Sequence, residues 1–229
     1  MLDTRRMNRA STSSHGSKAW SNGCAAPIVF VVDGDDTVRE SLESLIQSAG
    51  WQPEVFACGQ EFLSRERVFA PSCLILDVAL PDLNGLDLQQ LVAHRIEMPT
   101  IFITACADVP TTVRAMKAGA LEFLTKPFCN EVLLSSIGNA LERSHAALRH
   151  EAAMQPLRDR YASLSRRERQ VMARVVAGRF NKDIGAELGI CEITVQAHRG
   201  RVMRKMRADS LAGLVNIAAR LRLTVAPKG

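Results

Sequence analysis

Between residues 28 and 141, short uninterrupted apolar runs alternate with segments of helical period, and this alternation narrows the possible folds more than any other feature of the chain. The runs are 28–32, 74–76, 101–103 and 121–124. They lack polar alternation, so both faces of each strand need covering, as in a parallel sheet flanked by helices. The segment 38–49 places Val38, Leu42, Leu45 and Ile46 on one face and stops at Gly50. Segment 85–94 carries Leu88, Leu91 and Val92, and segment 109–118 closes at Gly119. A last helix starts after Asn130 with Val132, Leu133, Ile137 and Leu141. Repeated strand–helix units predict an α/β domain with a doubly wound, five-stranded parallel sheet.

The grammar changes after residue 142. Residues 143–162 are polar and Ala-rich, with Pro156 as a breaker, and read as a helical extension and then a linker. From Leu164 the pattern is helical throughout. Ser165-x-x-Glu168 is a capping box for a helix over 166–177, ended by Gly178. Asn181 is placed to cap a short helix over 182–188, with Gly189 as its stop. A longer helix covers 191–206, where Cys191 is a weak N-cap, and Ser210 caps a fourth over 211–221. A smaller all-α domain over 163–229 is therefore expected. Residues 1–26, with Arg5, Arg6, Arg9 and Lys18 among small polar residues, read as a disordered basic tail without the apolar centre of a signal peptide.

Charge separates the halves. Residues 27–145 hold 8 Lys and Arg against 16 Asp and Glu, a net of −8. Residues 161–229 hold 14 against 5, a net of +9. A basic domain is drawn to phosphate backbones, so nucleic acid leads the partner classes for the second half. Cys24, Cys58, Cys73, Cys106, Cys129 and Cys191 stand singly, without a C-x-x-C pair. That fits a reducing cytoplasm. No run is long enough for a membrane span, and no membrane partner is expected.

Ligands of open parallel sheets bind beyond the carboxyl ends of the strands. The residues at those ends are Asp33, Asp77, Thr104 and Lys126. Two carboxylates can hold Mg²⁺, and a carboxylate can act as a nucleophile toward phosphorus. An ammonium and a hydroxyl can receive the phosphoryl oxygens. Val31-Val32-Asp33, Leu76-Asp77-Val78-Ala79-Leu80-Pro81-Asp82-Leu83-Asn84-Gly85, Ile103-Thr104-Ala105 and Lys126-Pro127-Phe128 resemble the receiver domain of two-component response regulators, a flavodoxin-like fold. Met116-Lys117-Ala118-Gly119-Ala120 and Phe123 fit the same pattern. The resemblance covers 27–142 and implies that Asp77 is phosphorylated. It further implies that Asp33, Asp77 and the Ala79 carbonyl hold Mg²⁺. Thr104 and Phe123 then form the switch, and Lys126 precedes a cis Pro127. One position departs. The family has adjacent acids after its first strand, whereas Gly34 follows Asp33 here. Asp35 is the candidate replacement ligand, and weakened Mg²⁺ binding is expected.

Leu164-Ser165-x-Arg167-Glu168-Arg169, Gly178-x-x-Asn181-Lys182-Asp183-Ile184, Leu188-Gly189-Ile190 and Thr194-Val195-x-x-His198 resemble the LuxR/FixJ-type helix-turn-helix. The 191–206 helix is the expected reader. Val195, Val202 and Met206 should face a core. Asn181, Lys182, Thr194, Gln196, Ala197, His198, Arg199, Arg201, Arg204 and Lys205 are the candidate DNA contacts. Arg and Lys neutralise phosphates, and Gln suits adenine. The resemblance implies a transcription regulator, not a metabolic enzyme, and no catalytic constellation follows residue 145. Its implied partners are a sensor histidine kinase, promoter DNA with symmetric half-sites, a second copy upon phosphorylation, and RNA polymerase. The competing reading, prompted by Gly34, is DNA binding independent of phosphorylation.

Overall fold

The computed structural model describes residues 26–105 and 108–223. Cys24, Cys106 and the basic tail therefore lie outside the described residues. The chain divides into two compact units, 1–148 and 149–229.

The first unit is the expected α/β domain. Five parallel strands, β1 (Ile28–Val32), β2 (Gln52–Phe56), β3 (Ser72–Asp77), β4 (Thr100–Thr104) and β5 (Glu122–Thr125), lie in the order β2-β1-β3-β4-β5. Between them run α1 (Asp36–Ser48), α2 (Gly59–Ser64), α3 (Gly85–Val92) and α4 (Val109–Lys117), and α5 (Asn130–Ala162) follows β5. Strands β1, β3 and β4 are buried at every position, as their unbroken apolar runs require. Alternate residues feed two cores. Val29, Val31, Ile75, Ile101 and Ile103 pack with α1 and α5, while Phe30, Leu74, Leu76 and Phe102 face the other way. Cys73 lies fully buried, and burial pushes its thiol pKa up.

Strand β2 was not visible as an apolar run, because it reads Gln-Pro-Glu-Val-Phe. It is an edge strand, the place where a sheet tolerates proline. Helix α2 receives its N-terminal cap from a distance: Asp82 accepts bonds from the Gly59 and Gln60 N–H groups at 3.0 and 2.8 Å. These bonds lower the Asp82 pKa despite the opposing effect of desolvation.

Helix α5 corrects two expectations. Pro156 lies inside it and does not break it. Proline forfeits one N–H bond there, but Met154 and Leu157 on either side are buried, and their burial offsets that loss. The first unit also extends past residue 142. Ser144 is fully buried; its hydroxyl accepts from the Ser72 N–H at 2.8 Å and donates to the Glu97 carbonyl.

The second unit contains α6 (Arg166–Val176), α7 (Asn181–Leu188), α8 (Glu192–Met206) and α9 (Leu211–Arg220). Its core gathers Leu164, Val171, Met172, Val175, Ile184, Val195, Val202, Met206, Leu214 and Ala218. The capping box of α6 is present in both directions. Gly189 caps α7 in the left-handed region at φ 65°, which turns the chain into α8. Asn181 is not a cap. Phe180 occupies the cap position, without a side-chain bond, and Asn181 begins the helix.

Candidate functional site

Three strand ends bring the acidic cluster together. Asp33 follows β1 and is fully buried; Asp77 closes β3 and is 8% exposed. Lys126 follows β5, and its backbone N–H donates to the Thr104 carbonyl at 2.7 Å, so β4 fixes where the lysine stands. The Lys126 ammonium donates to Asp33 Oδ2 at 2.6 Å and to Asp77 Oδ2 at 2.9 Å. Burial alone would lower the Lys126 pKa, but the bonds to Asp33 and Asp77 outweigh it and hold the ammonium above its ordinary value. Each carboxylate is also held by backbone: the Asp35 N–H donates to Asp33 Oδ1 at 2.9 Å, and the Ala79 N–H to Asp77 Oδ1 at 3.1 Å. Arg39 braces the same corner, donating to the Asp33 carbonyl at 2.6 Å and pairing with Asp36. The Lys126–Pro127 peptide is cis.

Thr104 ends β4, buried, in register with Thr125. Phe123 on β5 is half-buried, its ring tilted against Phe102 at 6.0 Å between centroids. Asp35 does not join the cluster. Its carboxylate caps α1, accepting from the Thr37 and Val38 N–H groups at 2.9 and 3.4 Å. The replacement ligand proposed for the Gly34 position is therefore committed elsewhere. Among the described residues, no group of three His, Cys, Asp or Glu side chains is placed to hold a metal. Two carboxylates remain, Asp33 and Asp77, beside the Ala79 segment, where Ala79 bridges to Asn84.

Gly85 also shapes the site, a role its place in the Pro81–Gly85 motif did not reveal. A Cβ there would stand 2.2 Å from the Asp77 carbonyl oxygen, so α3 can begin this close to the end of β3 only with glycine. The Gly85 N–H in turn donates to the Val78 carbonyl at 2.8 Å.

In the second unit, α8 buries Val195, Val202 and Met206, as its period requires, and exposes Gln196, Ala197, Arg201 and Arg204. Lys182 on α7 is exposed too. Arg199 and Asn181 are half-buried and joined, Arg199 Nη1 donating to Asn181 Oδ1 at 2.6 Å, which ties α8 to the start of α7. Thr194 is half-buried, with Oγ1 3.0 Å from Cys191 Sγ. His198 is half-buried, and its Nδ1 has no partner among the described residues.

Lys205, a candidate DNA contact, is exposed but also bonds within the second unit. Its ammonium donates to Glu168 Oε2 at 2.7 Å and to the Ser163 carbonyl at 3.0 Å. Glu168 is buried and accepts the Ser165 N–H through the same oxygen at 2.8 Å. The bond from Lys205, and after it the Ser165 N–H, lowers the Glu168 pKa. Glu168 therefore adds stability above its unfolded value near 4.5 and loses it as pH falls through the lower folded value. Glu168→Gln is expected to cost about 1–2 kcal/mol at neutral pH. The difference from wild type should vanish in the acid range, as read by urea denaturation at several pH values.

Comparison with known proteins follows the same division. Residues 29–138 match the family described as response regulator receiver domain. Residues 162–218 match the family of bacterial regulatory proteins, luxR family. Nodulation protein W of Bradyrhizobium diazoefficiens is 44% identical over 198 residues, covering 86% of this chain and 87% of that protein. Transcriptional regulatory protein FixJ of the same organism is 39% identical over 193 residues, covering 84% and 94%. Among solved structures, the response regulator StyR is 43% identical with a TM-score of 0.72, covering 86% of this chain and all of that one. Among the described residues no helix is long and apolar enough to cross a membrane. Sheet, acidic cluster, helix-turn-helix and relatives agree, and the chain belongs to the response regulators that join a receiver domain to a LuxR-type DNA-binding domain, the group that includes FixJ.

Proposed function

We propose that Asp77 accepts a phosphoryl group from the phosphohistidine of a sensor kinase, and that the phosphorylated chain pairs with a second copy on a symmetric promoter site. The observation that carries this reading is the Lys126 ammonium held between Asp33 and Asp77 at the carboxyl rim of the sheet. An Asp77 carboxylate oxygen attacks phosphorus, the P–N bond of the donor breaks, and the imidazole leaves, taking a proton. The product is an acyl phosphate. Lys126 then trades its Asp77 contact for a phosphoryl oxygen, while its bond to Asp33 keeps it in place. Thr104, one strand away in register beyond Ile103, is the hydroxyl that meets the phosphoryl group. Phe123 is the side chain that repacks in response. The exposed Val109, Val113 and Met116 of α4, with Arg114, Lys117 and Glu122 beside them, offer the second copy an apolar surface ringed by charge. RNA polymerase is the natural contact of a promoter-bound dimer.

Mg²⁺ fits the residues present, because it keeps several waters and is held by one or two carboxylates. Asp33, Asp77 and the Ala79 carbonyl would hold it, and when bound it offsets negative charge on the incoming phosphoryl group. With Gly34 in an acid's place and Asp35 spent on α1, binding is weak. Gly34→Asp is expected to tighten Mg²⁺ by about 10-fold or more, since even outer-shell partners of a metal carry that much. Faster phosphorylation by a small-molecule phosphodonor should accompany it. A Cβ at position 34 stands 3.3 Å from Pro81 Cδ, so the proline must yield by a few tenths of an ångström. Unchanged Mg²⁺ affinity in a titration would remove Gly34 as the cause of weakness.

The reading is tested by sedimentation and operator binding with and without phosphodonor and Mg²⁺. A monomer with equal DNA affinity in both conditions contradicts it. Phosphate contacts are expected from Arg201 and Arg204. Arg201→Ala and Arg204→Ala should each weaken binding similarly on all sequences and reduce the slope of log affinity against log salt by about 1.

A further inference from the structure

Helix α8 presents an outward stripe that is not basic at its centre. Ile193, Gln196, Ala197, Gly200 and Arg204 recur at spacings of three and four, and all are exposed. They lie away from Val195, Val202 and Met206, which are fully buried in the core. Ile193 is 79% exposed, so its side chain contributes little to the fold and is available to a partner. A Cβ at Gly200 would have open space around it, so the backbone there can come close to a ligand. Arg204 ends the stripe and Arg201 flanks it, and residues 161–229 carry +9. The charge selects a polyanionic duplex as occupant. An isoleucine gains nothing from phosphate or sugar, however. The chemical group in the major groove that rewards an aliphatic side chain is the C5-methyl of thymine.

We propose that Ile193 is a specificity-determining residue that packs on a thymine methyl, next to a base pair read by Gln196. The two residues lie three apart, a rise of about 4.5 Å along the helix, close to the ~3.4 Å spacing of base pairs. They therefore address neighbouring pairs, Gln196 taking the N6 and N7 edge of adenine and Ile193 the methyl. Ala197 and Gly200 keep the centre of the stripe low, so the helix can sit deep enough for a side chain of isoleucine length to reach. This inference rests on α8 being the reading helix, and the experiment separates the two.

The full-length protein, treated with phosphodonor and Mg²⁺, is used to enrich duplexes from a random library, and affinity is then measured on the enriched site under the same conditions. Each thymine is replaced in turn by deoxyuridine, which lacks only the methyl. Wild type is expected to lose about 4-fold at one thymine per half-site, the worth of one buried methyl-sized group. Ile193→Ser should bind the thymine site about 4-fold less tightly and no longer distinguish thymine from uracil there. Circular dichroism checks that this exposed substitution leaves the fold intact. A T-to-U loss of the same size in Ile193→Ser overturns the role of Ile193 while leaving α8 as the reader. Failure to enrich any sequence overturns both.

Discussion

Asp77→Asn is expected to abolish covalent phosphorylation, lowering incorporation from a phosphodonor by about 1000-fold or more, as loss of a nucleophile does. The substitution keeps the volume of the side chain and removes its charge. An amide oxygen is a poor nucleophile toward phosphorus, and the amide nitrogen would face donors: Asp77 now accepts from the Lys126 ammonium at 2.9 Å and the Ala79 N–H at 3.1 Å. One of those donors is left without its partner, a cost of about 1–3 kcal/mol to the receiver. Intact-protein mass spectrometry reads the covalent change directly, with Asp33→Asn as comparator. Asp33 bonds the same ammonium at 2.6 Å but is fully buried, so its loss should slow phosphorylation without removing the acceptor. Residual labelling of Asp77→Asn at the wild-type rate would place the acceptor elsewhere. Operator binding by Asp77→Asn equal to that of phosphorylated wild type would indicate a regulator that needs no phosphoryl group.

Gly85→Ala is expected to be the most destabilising single-methyl change in the receiver, at about 3 kcal/mol or more. The new Cβ would lie 2.2 Å from the Asp77 carbonyl oxygen and 3.0 Å from Val78 Cα, both backbone atoms that no rotamer change can move. Either α3 withdraws and gives up the 2.8 Å bond from Gly85 N–H to the Val78 carbonyl, or the end of β3 bends. The second outcome displaces the nucleophile, so a drop in phosphorylation should accompany the loss of stability. With a urea dependence of about 1–3 kcal/mol per molar, the midpoint should fall by about 1–3 M. Fluorescence of Trp51, half-buried in the receiver, follows that transition. An unmoved midpoint would mean that the turn after β3 has room for a side chain.

Both residues were legible in the sequence, but to different depths. Asp33, Asp77 and Thr104 end strands buried on both faces, so the residue closing each apolar run had to emerge at one rim. Lys126 follows β5, a half-buried edge strand, and was readable only from the apolar run 121–124 that precedes it. Gly85 was visible as part of a motif, but its clash with backbone eight residues earlier depends on how α3 turns back over β3. Edge strand β2 escaped notice because an edge admits Pro53 and Glu54. Contacts between residues far apart in the chain left no local trace. Asp82 bonding α2, Lys205 bonding Glu168 and Arg199 bonding Asn181 span 22, 37 and 18 residues. Lys205 was read only as a member of a basic face, because period alone does not show that a lysine also bonds a buried carboxylate. Pro156 misled for the opposite reason: its local penalty was plain, and the burial of Met154 and Leu157 was not.

Ser144 gives the receiver an anchor. It grips the entry to β3 and the turn before β4, at the rim of the sheet opposite Asp77. Helix α5 starts beyond β5 at the Asp77 rim and reaches Ser144 about 21 Å later. A push on its first turn cannot slide the helix lengthwise without tearing both hydroxyl contacts loose. With Leu133, Ile137, Ala140 and Leu141 fully buried between those two points, the receiver half of the helix is fastened to the sheet along its length.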